Sequence, residues 1–296
     1  VESLPCGLTS LSLNYARVLS PSILPRGLQT LEHVTLAPSE LHELPPRLCR
    51  LTMTLTPPVS CSPGDLAPLS SDMPGSEQST SLTFVMESST ISTLPATIHS
   101  LSVQSSSLIG FGDWLPRNLQ ELQWTWNRSV TAAEVARLSV RPDIFASLPH
   151  RLMRFTFTCP HWAPSLVHLE NFGGPEDIEV ISIEGQTEAA EPSTVSSASF
   201  GMLPRSLRKL SMPCYKIEPT DFSHLPPSLC ELKLRPASMR WNLSPEILAR
   251  LPPRLKVFLV PITTSDRDAW TKALKGYGRH LTTELYWLEE KPTTDA

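Results

Sequence analysis

One ten-residue pattern, Leu-Pro-x-x-Leu-x-x-Leu-x-apolar, recurs along almost the whole chain and constrains its fold more than any other feature. A clear copy is LPPSLCELKL, which runs from Leu225 to Leu234. Nine copies can be read directly, and they begin at Leu4, Leu24, Leu44, Leu94, Leu115, Leu148, Leu203, Leu225 and Leu251. A long motif that recurs every ~20–50 residues is typical of a repeat protein, in which each copy forms one coil of a stacked solenoid.

The chemistry of the pattern predicts the structure of each coil. In the closing Leu-x-apolar segment, alternate residues point to opposite faces, as in a β-strand, so the apolar residues face the core and the x residues face outward. Proline has no N–H to donate to a sheet, so it belongs just before the strand. A further apolar residue often lies three positions before the Leu-Pro, as Leu41 and Phe222 do, and would close the coil from the return side. We therefore expect a curved parallel sheet with short helices or extended segments on its convex side.

Two of the gaps between copies are long enough to contain another coil, and each holds a degenerate match. The segment Gly174–Ile183 keeps isoleucine at the core positions, including Ile178 and Ile181. The segment Gly75–Phe84 fits less well, because Ser79 takes a core position. With both segments included, the sequence predicts about eleven coils.

These features resemble the leucine-rich-repeat family. The Leu-Pro-x-x-Leu-x-x-Leu form looks most like the FNIP repeats of slime-mould proteins, and it is also similar to the LPX-type repeats of bacterial effector ubiquitin ligases. The resemblance covers residues 4–260, although the Phe-Asn-x-Pro signature of FNIP repeats is absent and the effectors' ligase domain has no room in this chain. It implies a curved solenoid and, by analogy of fold alone, a role in recognition.

The repeat pattern and the local composition divide the chain into a solenoid and a C-terminal cap. We expect the solenoid to span residues 1–263. Two stretches in it, 56–80 and 186–199, are dominated by small polar residues and proline, which predicts insertion loops. Residues 264–296 are expected to form the cap and a tail.

The cap itself has clear local signals. Ser265 is the expected N-cap of a helix, Asp266 and Asp268 favour the positive end of the helix dipole, and Gly276 is the expected stop. The segment Leu281–Leu288 then predicts a final strand. The N-terminus begins almost directly on a repeat, so we expect either preceding residues or a partner to cover that end.

Charge and hydropathy narrow the classes of partner. The net charge is −4, so there is no electrostatic case for binding nucleic acid or an anionic membrane. No run of roughly eighteen apolar residues is present, so we expect no membrane span. The expected partner is therefore a protein, either another protein or a second copy of this chain.

No motif predicts catalysis, a cofactor or a metal. There is no Gly-rich phosphate loop, and the histidines show no metal-ligand spacing with cysteine or acidic residues. Cys159 and His161 are neighbours across a proline, a placement that rarely lets a thiol and an imidazole meet. The six cysteines form no regular framework, which favours an intracellular protein, while sequons at Asn127 and Asn242 leave a secreted one open.

The outward positions of the strands define the candidate binding surface. These positions are mostly Ser and Thr in the early coils and charged in the late coils. The candidate protein-binding residues on this concave face are Arg50, Thr52, Gln104, Glu121, Gln123, Arg154, Thr156, Lys209, Glu231, Lys233 and Arg235.

Three functions fit the sequence. The first is a non-enzymatic protein-binding or scaffold module that uses the concave sheet or one rim. The second is a structural subunit of a larger assembly or filament, because an open coil end is an edge strand ready to pair. The third is the recognition arm of an enzyme whose catalytic domain lies outside this chain.

Overall fold

A computed structural model describes residues 4–18, 20–55, 85–86, 94–105, 108–109, 114–126, 148–159, 178–185, 200–201, 203–214, 220–236, 244–263, 266–277 and 281–288. The strands are β1 Ser10–Arg17, β2 Thr30–Leu36, β3 Arg50–Leu55, β4 Val85–Met86, β5 Ser100–Ser105, β6 Leu108–Ile109, β7 Glu121–Trp126, β8 Arg154–Cys159, β9 Val180–Gly185, β10 Lys209–Cys214, β11 Glu231–Pro236, β12 Val257–Thr263 and β13 Thr282–Leu288. Eleven of them form one sheet in the order β1-β2-β3-β5-β7-β8-β9-β10-β11-β12-β13, and β4 pairs with β6. Every neighbouring pair is parallel, as a stacked solenoid requires.

The Leu-Pro-x-x-Leu segment forms the same tight turn before each repeat strand. The proline carbonyl accepts a hydrogen bond from the backbone N–H of the residue three positions later, as from Leu48 to Pro45 at 3.1 Å and from Leu229 to Pro226 at 3.1 Å. Because proline uses only its carbonyl here, its missing N–H leaves no unpaired donor. The turn therefore explains why every direct copy carries proline at this position.

Alternation along the strands builds the core. In β3, the side chains of Leu51, Met53 and Leu55 are buried, whereas those of the intervening residues are exposed or partly buried. Larger residues take the same inward positions in later coils, where Trp124, Phe155 and Phe157 are 0–1% exposed. Burying each such side chain contributes about 1.5–3 kcal/mol, and stacking is what makes the burial complete. The expectation that the apolar residues of the closing segment face the core is confirmed.

One expected coil is wrong. The segment Gly75–Phe84 was predicted to add a strand between the third direct copy and the fourth, but β3 pairs residue for residue with β5, from Arg50 opposite Ser100 to Leu55 opposite Ser105. A coil between them would separate these strands by an additional strand width. The physical reason is that Ser79 stands at a core position of this segment and cannot supply the apolar group that the position needs. The eleventh strand of the sheet is instead β13.

The degenerate copy at Gly174–Ile183 does form a coil. Its strand β9 lies between β8 and β10, and Ile178, Ile181 and Ile183 are 0–1% exposed. The predicted insertion loops at 56–80 and 186–199 lie outside the described residues.

Short 3₁₀ helices form the return side of the coils that the structure describes there, at Pro21–Ile23, Pro38–Glu43, Asp221–His224 and Pro245–Arg250. The apolar residues that precede Leu-Pro lie in or beside these segments and are buried, with Leu41 at 0% exposure and Phe222 at 2%. Ser244 is the N-cap of the last of them, as its sequence predicts, and its hydroxyl accepts from the N–H of Glu246 at 3.4 Å.

The C-terminal elements extend the solenoid. Helix α1 spans Arg267–Gly276, and its Trp270 is fully buried with its ring centroid 6.5 Å from that of Phe258 on β12. Strand β13 pairs in parallel with the full length of β12. The predicted helix and strand are confirmed, but the expected N-cap Ser265 is wrong, because the helix begins at Arg267 and its N-cap is Asp266.

Candidate functional site

The outward residues of the sheet fall into rows that run across the strands, because neighbouring strands are in register. We call the first outward residue of each strand the first row: Ser10, Thr30, Arg50, Ser100, Glu121, Arg154, Val180, Lys209, Glu231, Val257 and Thr282. The second row contains Ser12, Glu32, Thr52, Ser102, Gln123, Thr156, Ser182, Ser211, Lys233, Leu259 and Glu284. The third row contains Arg17, Thr35, Thr54, Gln104, Thr125, Thr158 and Glu184. Together these rows are the concave face, although Leu259 is buried in its row and the side chains of Glu184, Thr282 and Glu284 lie outside the described residues.

Ten of the eleven predicted binding residues occupy these three rows, and Arg235 is the exception. Those whose side chains are exposed are Arg50, Gln123, Arg154 and Lys209. Those whose side chains are partly buried are Thr52, Gln104, Glu121, Thr156, Glu231 and Lys233. Arg235 lies in β11 opposite Pro213, and its side chain is outside the described residues. The structure thus places these residues side by side on one surface.

The middle of the concave face is polar but electrically balanced. In the second row, the residues from β3 to β10 are threonine, serine or glutamine. From β5 to β9 the two charges of the first row neutralise each other, because Arg154 Nη1 lies 3.0 Å from Glu121 Oε1. The Ser100 hydroxyl also donates to Glu121 Oε2 at 3.2 Å. This part of the face can donate and accept hydrogen bonds without attracting a particular charge.

The late coils carry a cluster with an excess positive charge, formed by Lys209, Glu231 and Lys233. Lys233 Nζ lies 2.6 Å from Glu231 Oε1, and Lys209 Nζ lies 3.1 Å from Glu231 Oε2. The hydrogen bond from Lys233 and then the contact with Lys209 hold the pKa of the Glu231 carboxyl below its ordinary value of 4.5, although burial acts in the opposite direction. The carboxylate is therefore ionised near neutral pH, and one carboxylate between two ammonium groups leaves a net charge of +1. We call this group the lysine cluster.

Ser211 lies directly beside the lysine cluster. It follows Lys209 by two residues on β10, is opposite Lys233 on β11, and is opposite Ser182 on β9. The Ser211 hydroxyl oxygen is buried and has no hydrogen-bond partner. A buried hydroxyl without a hydrogen-bond partner lowers the stability of the fold by about 1–3 kcal/mol relative to a paired one. The concave face thus holds an unused donor next to its excess charge.

Arg50, another cation of the predicted set, has no acidic partner among the described residues. Its neighbours in the first row are Thr30 and Ser100, both uncharged. Arg208 and Glu179, which immediately precede β10 and β9, form a longer pair at 3.7 Å.

Two bulges at the start of the sheet were missed by sequence reasoning. In β2, Glu32 and His33 together occupy the space between Leu31 and Val34, where the neighbouring strand has one residue, Thr52. The repeat pattern puts His33 at an apolar core position, but Val34 is the buried residue and His33 is only partly buried. The one-residue insertion changes the alternation, and no turn residue marks it in the sequence.

The bulge in β1 brings a tyrosine to the same place. Asn14, Tyr15 and His33 are the described non-glycine residues with positive φ, at 46°, 65° and 54°. The Tyr15 and His33 rings lie with their centroids 5.0 Å apart, and the Tyr15 side chain is 49% exposed. The Thr35 hydroxyl donates to the Tyr15 carbonyl oxygen at 2.9 Å, which fixes the bulged backbone. Tyr15 is therefore an exposed aromatic residue of the early coils.

The residues that the structure describes hold no group of three or more His, Cys, Asp or Glu side chains that could bind a metal ion. Nor does any helix in this part of the chain have the length and apolar character needed to cross a membrane.

Comparison with known proteins supports the fold. The chain matches no protein-family model. It also matches no curated protein. Among solved structures it is similar to CroV588, described as a circular leucine-rich-repeat protein, with 16% identity and a TM-score of 0.50 over 96% of this chain and 38% of CroV588. It is also similar to the leucine-rich-repeat-containing protein LegL7 of Legionella pneumophila, with 14% identity and a TM-score of 0.41 over 97% of this chain and 85% of LegL7.

The chain spans 38% of the length of CroV588, so the likeness concerns a part of that protein. At this level of identity it bears on the fold, and the FNIP or LPX type of repeat stays a prediction. The stacked parallel sheet of this chain and its likeness to CroV588 together show a solenoid with the leucine-rich-repeat fold.

Proposed function

We propose that this chain is a non-enzymatic protein-binding module and that the concave face is its binding surface. The observation that carries the proposal is the polar surface across the parallel sheet, which is unbroken in the second row from Thr52 on β3 to Lys233 on β11 and is interrupted in the first row by Val180. A sheet that only needed solvation could carry unrelated charges at these positions. Here a neutral hydrogen-bonding centre is flanked on one side by Arg50, which has no acidic partner in the described part of the chain, and on the other by the lysine cluster.

The dimensions of this surface fit a protein partner. Eleven parallel strands at a spacing of about 4.8 Å extend about 50 Å, and three outward rows cover about 15 Å along the strands. The product is about 750 Å², which is close to the ~800 Å² that each partner buries in a standard interface. A small molecule would contact only a fraction of this area.

The chemistry of the surface indicates a polar mode of recognition. Threonine, serine and glutamine side chains offer both donors and acceptors, and exposed apolar residues are few in the described part of the face. An interface of this kind depends on hydrogen bonds and bound water more than on a large apolar core. We therefore propose that the partner presents an extended, polar segment of polypeptide to the sheet.

The test uses a substitution that blocks the middle of the face. Thr156→Arg places a long charged side chain in the second row, next to Gln123 on the neighbouring strand. The matched control is Ala249→Arg, which puts the same side chain at an exposed position in the 3₁₀ helix Pro245–Arg250 on the return side. Each tagged variant is purified from the cells that make the protein, and the partners that remain bound are quantified.

The proposal expects one heterologous partner to be retained by the parent chain and by Ala249→Arg and to be lost from Thr156→Arg, with all three chains folded. Loss from Ala249→Arg alone would contradict the concave face as the binding surface. Recovery only of other copies of this chain would instead favour the structural-subunit alternative, and recovery of a catalytic subunit would favour the recognition-arm alternative.

A further inference from the structure

We infer that the lysine cluster, together with Ser211, is a subsite for a carboxylate side chain of the partner polypeptide, that is, an aspartate or glutamate in the segment that lies on the concave face. This inference rests on the proposed function and makes its partner more specific. It is carried by three observations on neighbouring strands: the unequal charge, the exposure of the ammonium groups and the unpaired hydroxyl.

The lysine cluster carries unequal numbers of positive and negative charges, whereas a simple surface ion pair carries one of each. The pair of Glu121 and Arg154 has one charge of each sign and is complete in itself. In the lysine cluster, one carboxylate is shared by two ammonium groups, so one positive charge has no counterion in the described structure. A single carboxylate from a partner would make the cluster neutral, whereas a second cation would be repelled.

The two ammonium groups are accessible to a partner. The side chains of Lys209 and Lys233 are 57% and 37% exposed, while that of Glu231 beneath them is 19% exposed. Each ammonium group has three N–H donors, and Glu231 uses one donor of each. The remaining donors are free to bind an oxygen atom that approaches from the open side of the sheet.

Ser211 adds a third donor. Its hydroxyl oxygen is buried without a partner, between the positions of Lys209 and Lys233. Lysine stems are flexible, so a small displacement of these side chains would bring the hydroxyl within reach of a bound carboxylate. Two ammonium groups and one hydroxyl are then arranged around the two oxygens of a single carboxylate, and charge-assisted hydrogen bonds of this kind are the strong ones.

In the experiment, the folded chain is the target on which peptides are selected from a random decapeptide display library. One enriched peptide is then synthesised in two matched versions. In one version each Asp or Glu is kept, and in the other it is replaced by Asn or Gln. We expect the acidic version to bind and the amide version to bind at least about tenfold more weakly. Raising the salt concentration should weaken only the acidic version, because exposed charges are screened.

Four variants assign the effect to the cluster. Replacing both lysines, as Lys209→Met with Lys233→Met, should weaken the acidic peptide by about tenfold, and Ser211→Ala should weaken it by about threefold to tenfold. Glu231→Gln should strengthen it by about threefold to tenfold, because the competing carboxylate is removed. The control is Lys272→Met with Lys275→Met, which removes two exposed lysines from helix α1 rather than from the concave face and should change nothing.

The outcomes separate this inference from the function on which it rests. If no peptide is enriched, the proposed function fails and the inference fails with it. If peptides are enriched but bind equally as amides, or bind the double-lysine variant unchanged, the concave face binds polypeptide and the carboxylate subsite is overturned. Unchanged affinity in Ser211→Ala or weaker binding to Glu231→Gln would also overturn it, as would a phosphoserine peptide that binds where the acidic version does not. Glu231→Gln guards against a folding artefact, because a damaged protein would not bind more tightly.

Discussion

The Thr97 hydroxyl oxygen lies 2.7 Å from the carbonyl oxygen of Leu48 and 3.0 Å from that of Pro46, so one side chain ties the turn of its coil to the turn of the preceding coil. The same position of the repeat does the same in later coils, where Ser206 donates to the Ile178 carbonyl at 2.9 Å and Ser228 donates to the Leu207 carbonyl at 2.8 Å. A short hydroxyl side chain at the fourth position of the Leu-Pro motif is therefore a connection between coils.

This connection can be tested at Thr97. Thr97→Val keeps the shape of the side chain and removes the donor, so we expect the free energy of unfolding to fall by about 1 kcal/mol, the usual net value of such a hydrogen bond. Urea unfolding followed by circular dichroism measures the change. Thr97→Ser keeps the hydroxyl, so its free energy of unfolding should fall much less. Equal decreases in the two variants would show that the hydrogen bond contributes nothing.

The direct contact between β3 and β5 can be tested with a disulfide. Cys49 and His99 immediately precede two strands that pair in register, and the His99 N–H donates to the Cys49 carbonyl oxygen at 2.9 Å. Adjacent parallel strands are about 4.8 Å apart, which is within the Cα range of a disulfide. His99→Cys should therefore cross-link to Cys49 on oxidation, as peptide mapping by mass spectrometry would show.

A control variant uses the next coil. Gln120 occupies the same repeat position one strand further on, since the N–H of Gln120 donates to the His99 carbonyl oxygen. Gln120→Cys would place its thiol about 10 Å from Cys49, beyond the reach of a disulfide. Failure of the folded His99→Cys variant to cross-link would restore the rejected coil between β3 and β5, because that coil would move His99 about 10 Å from Cys49.

The bulge at His33 predicts a stabilising substitution. His33 combines a positive φ of 54° with a buried, unpaired Nδ1 atom, and both are unfavourable for a side chain other than glycine. We expect His33→Gly to raise the free energy of unfolding by about 1 kcal/mol despite the lost contact with Tyr15. The neighbouring substitution Glu32→Gly should lower it by about 0.5–1 kcal/mol, because Glu32 has no positive φ to relieve. Destabilisation by both variants would show that the Tyr15–His33 contact outweighs the strain.

The parts of the fold that repeat could be predicted, and the parts that break the repeat could not. The spacing of leucine and proline predicted the strands, their inward apolar residues and the place of proline just before each strand, because these depend on local alternation and on the missing N–H of proline. The bulge at His33 depends on one inserted residue, and the alternation on either side of it is too short to reveal the shift. The coil wrongly predicted at Gly75–Phe84 is the opposite kind of error, a match to the pattern that forms no strand between β3 and β5. A chance match at two positions cannot replace a missing core residue.

The candidate site was predictable in position and only partly in chemistry. The sequence placed Lys209, Glu231 and Lys233 on one face, because they occupy alternate positions of neighbouring strands. It could not show that both lysines share one carboxylate, because that depends on side-chain conformations. Nor could it mark Ser211 as unpaired, since that requires knowing what surrounds its hydroxyl.

The lysine cluster also predicts a dependence of stability on pH. The pKa of the Glu231 carboxyl is lowered in the folded chain by Lys233 and Lys209, so its ionised form stabilises the fold above its ordinary pKa of 4.5. This contribution is lost as the pH falls through the lower pKa of the folded state. The difference in stability between the parent chain and Glu231→Gln should therefore be constant near neutral pH and shrink below pH 4.5, as unfolding curves at each pH would show. A stability difference that grows as the pH falls would contradict the stabilising ion pairs of Glu231 with Lys209 and Lys233.

The concave face as binding surface is tested most directly by cross-linking mass spectrometry, with a lysine-reactive reagent, on the protein purified from its own source without overexpression. We expect cross-links from a different protein to Lys209 and Lys233 on the concave face, and none to Lys272 and Lys275 on helix α1. Cross-links from a partner to Lys272 or Lys275 with none to Lys209 or Lys233, or cross-links only between copies of this chain, would contradict the account.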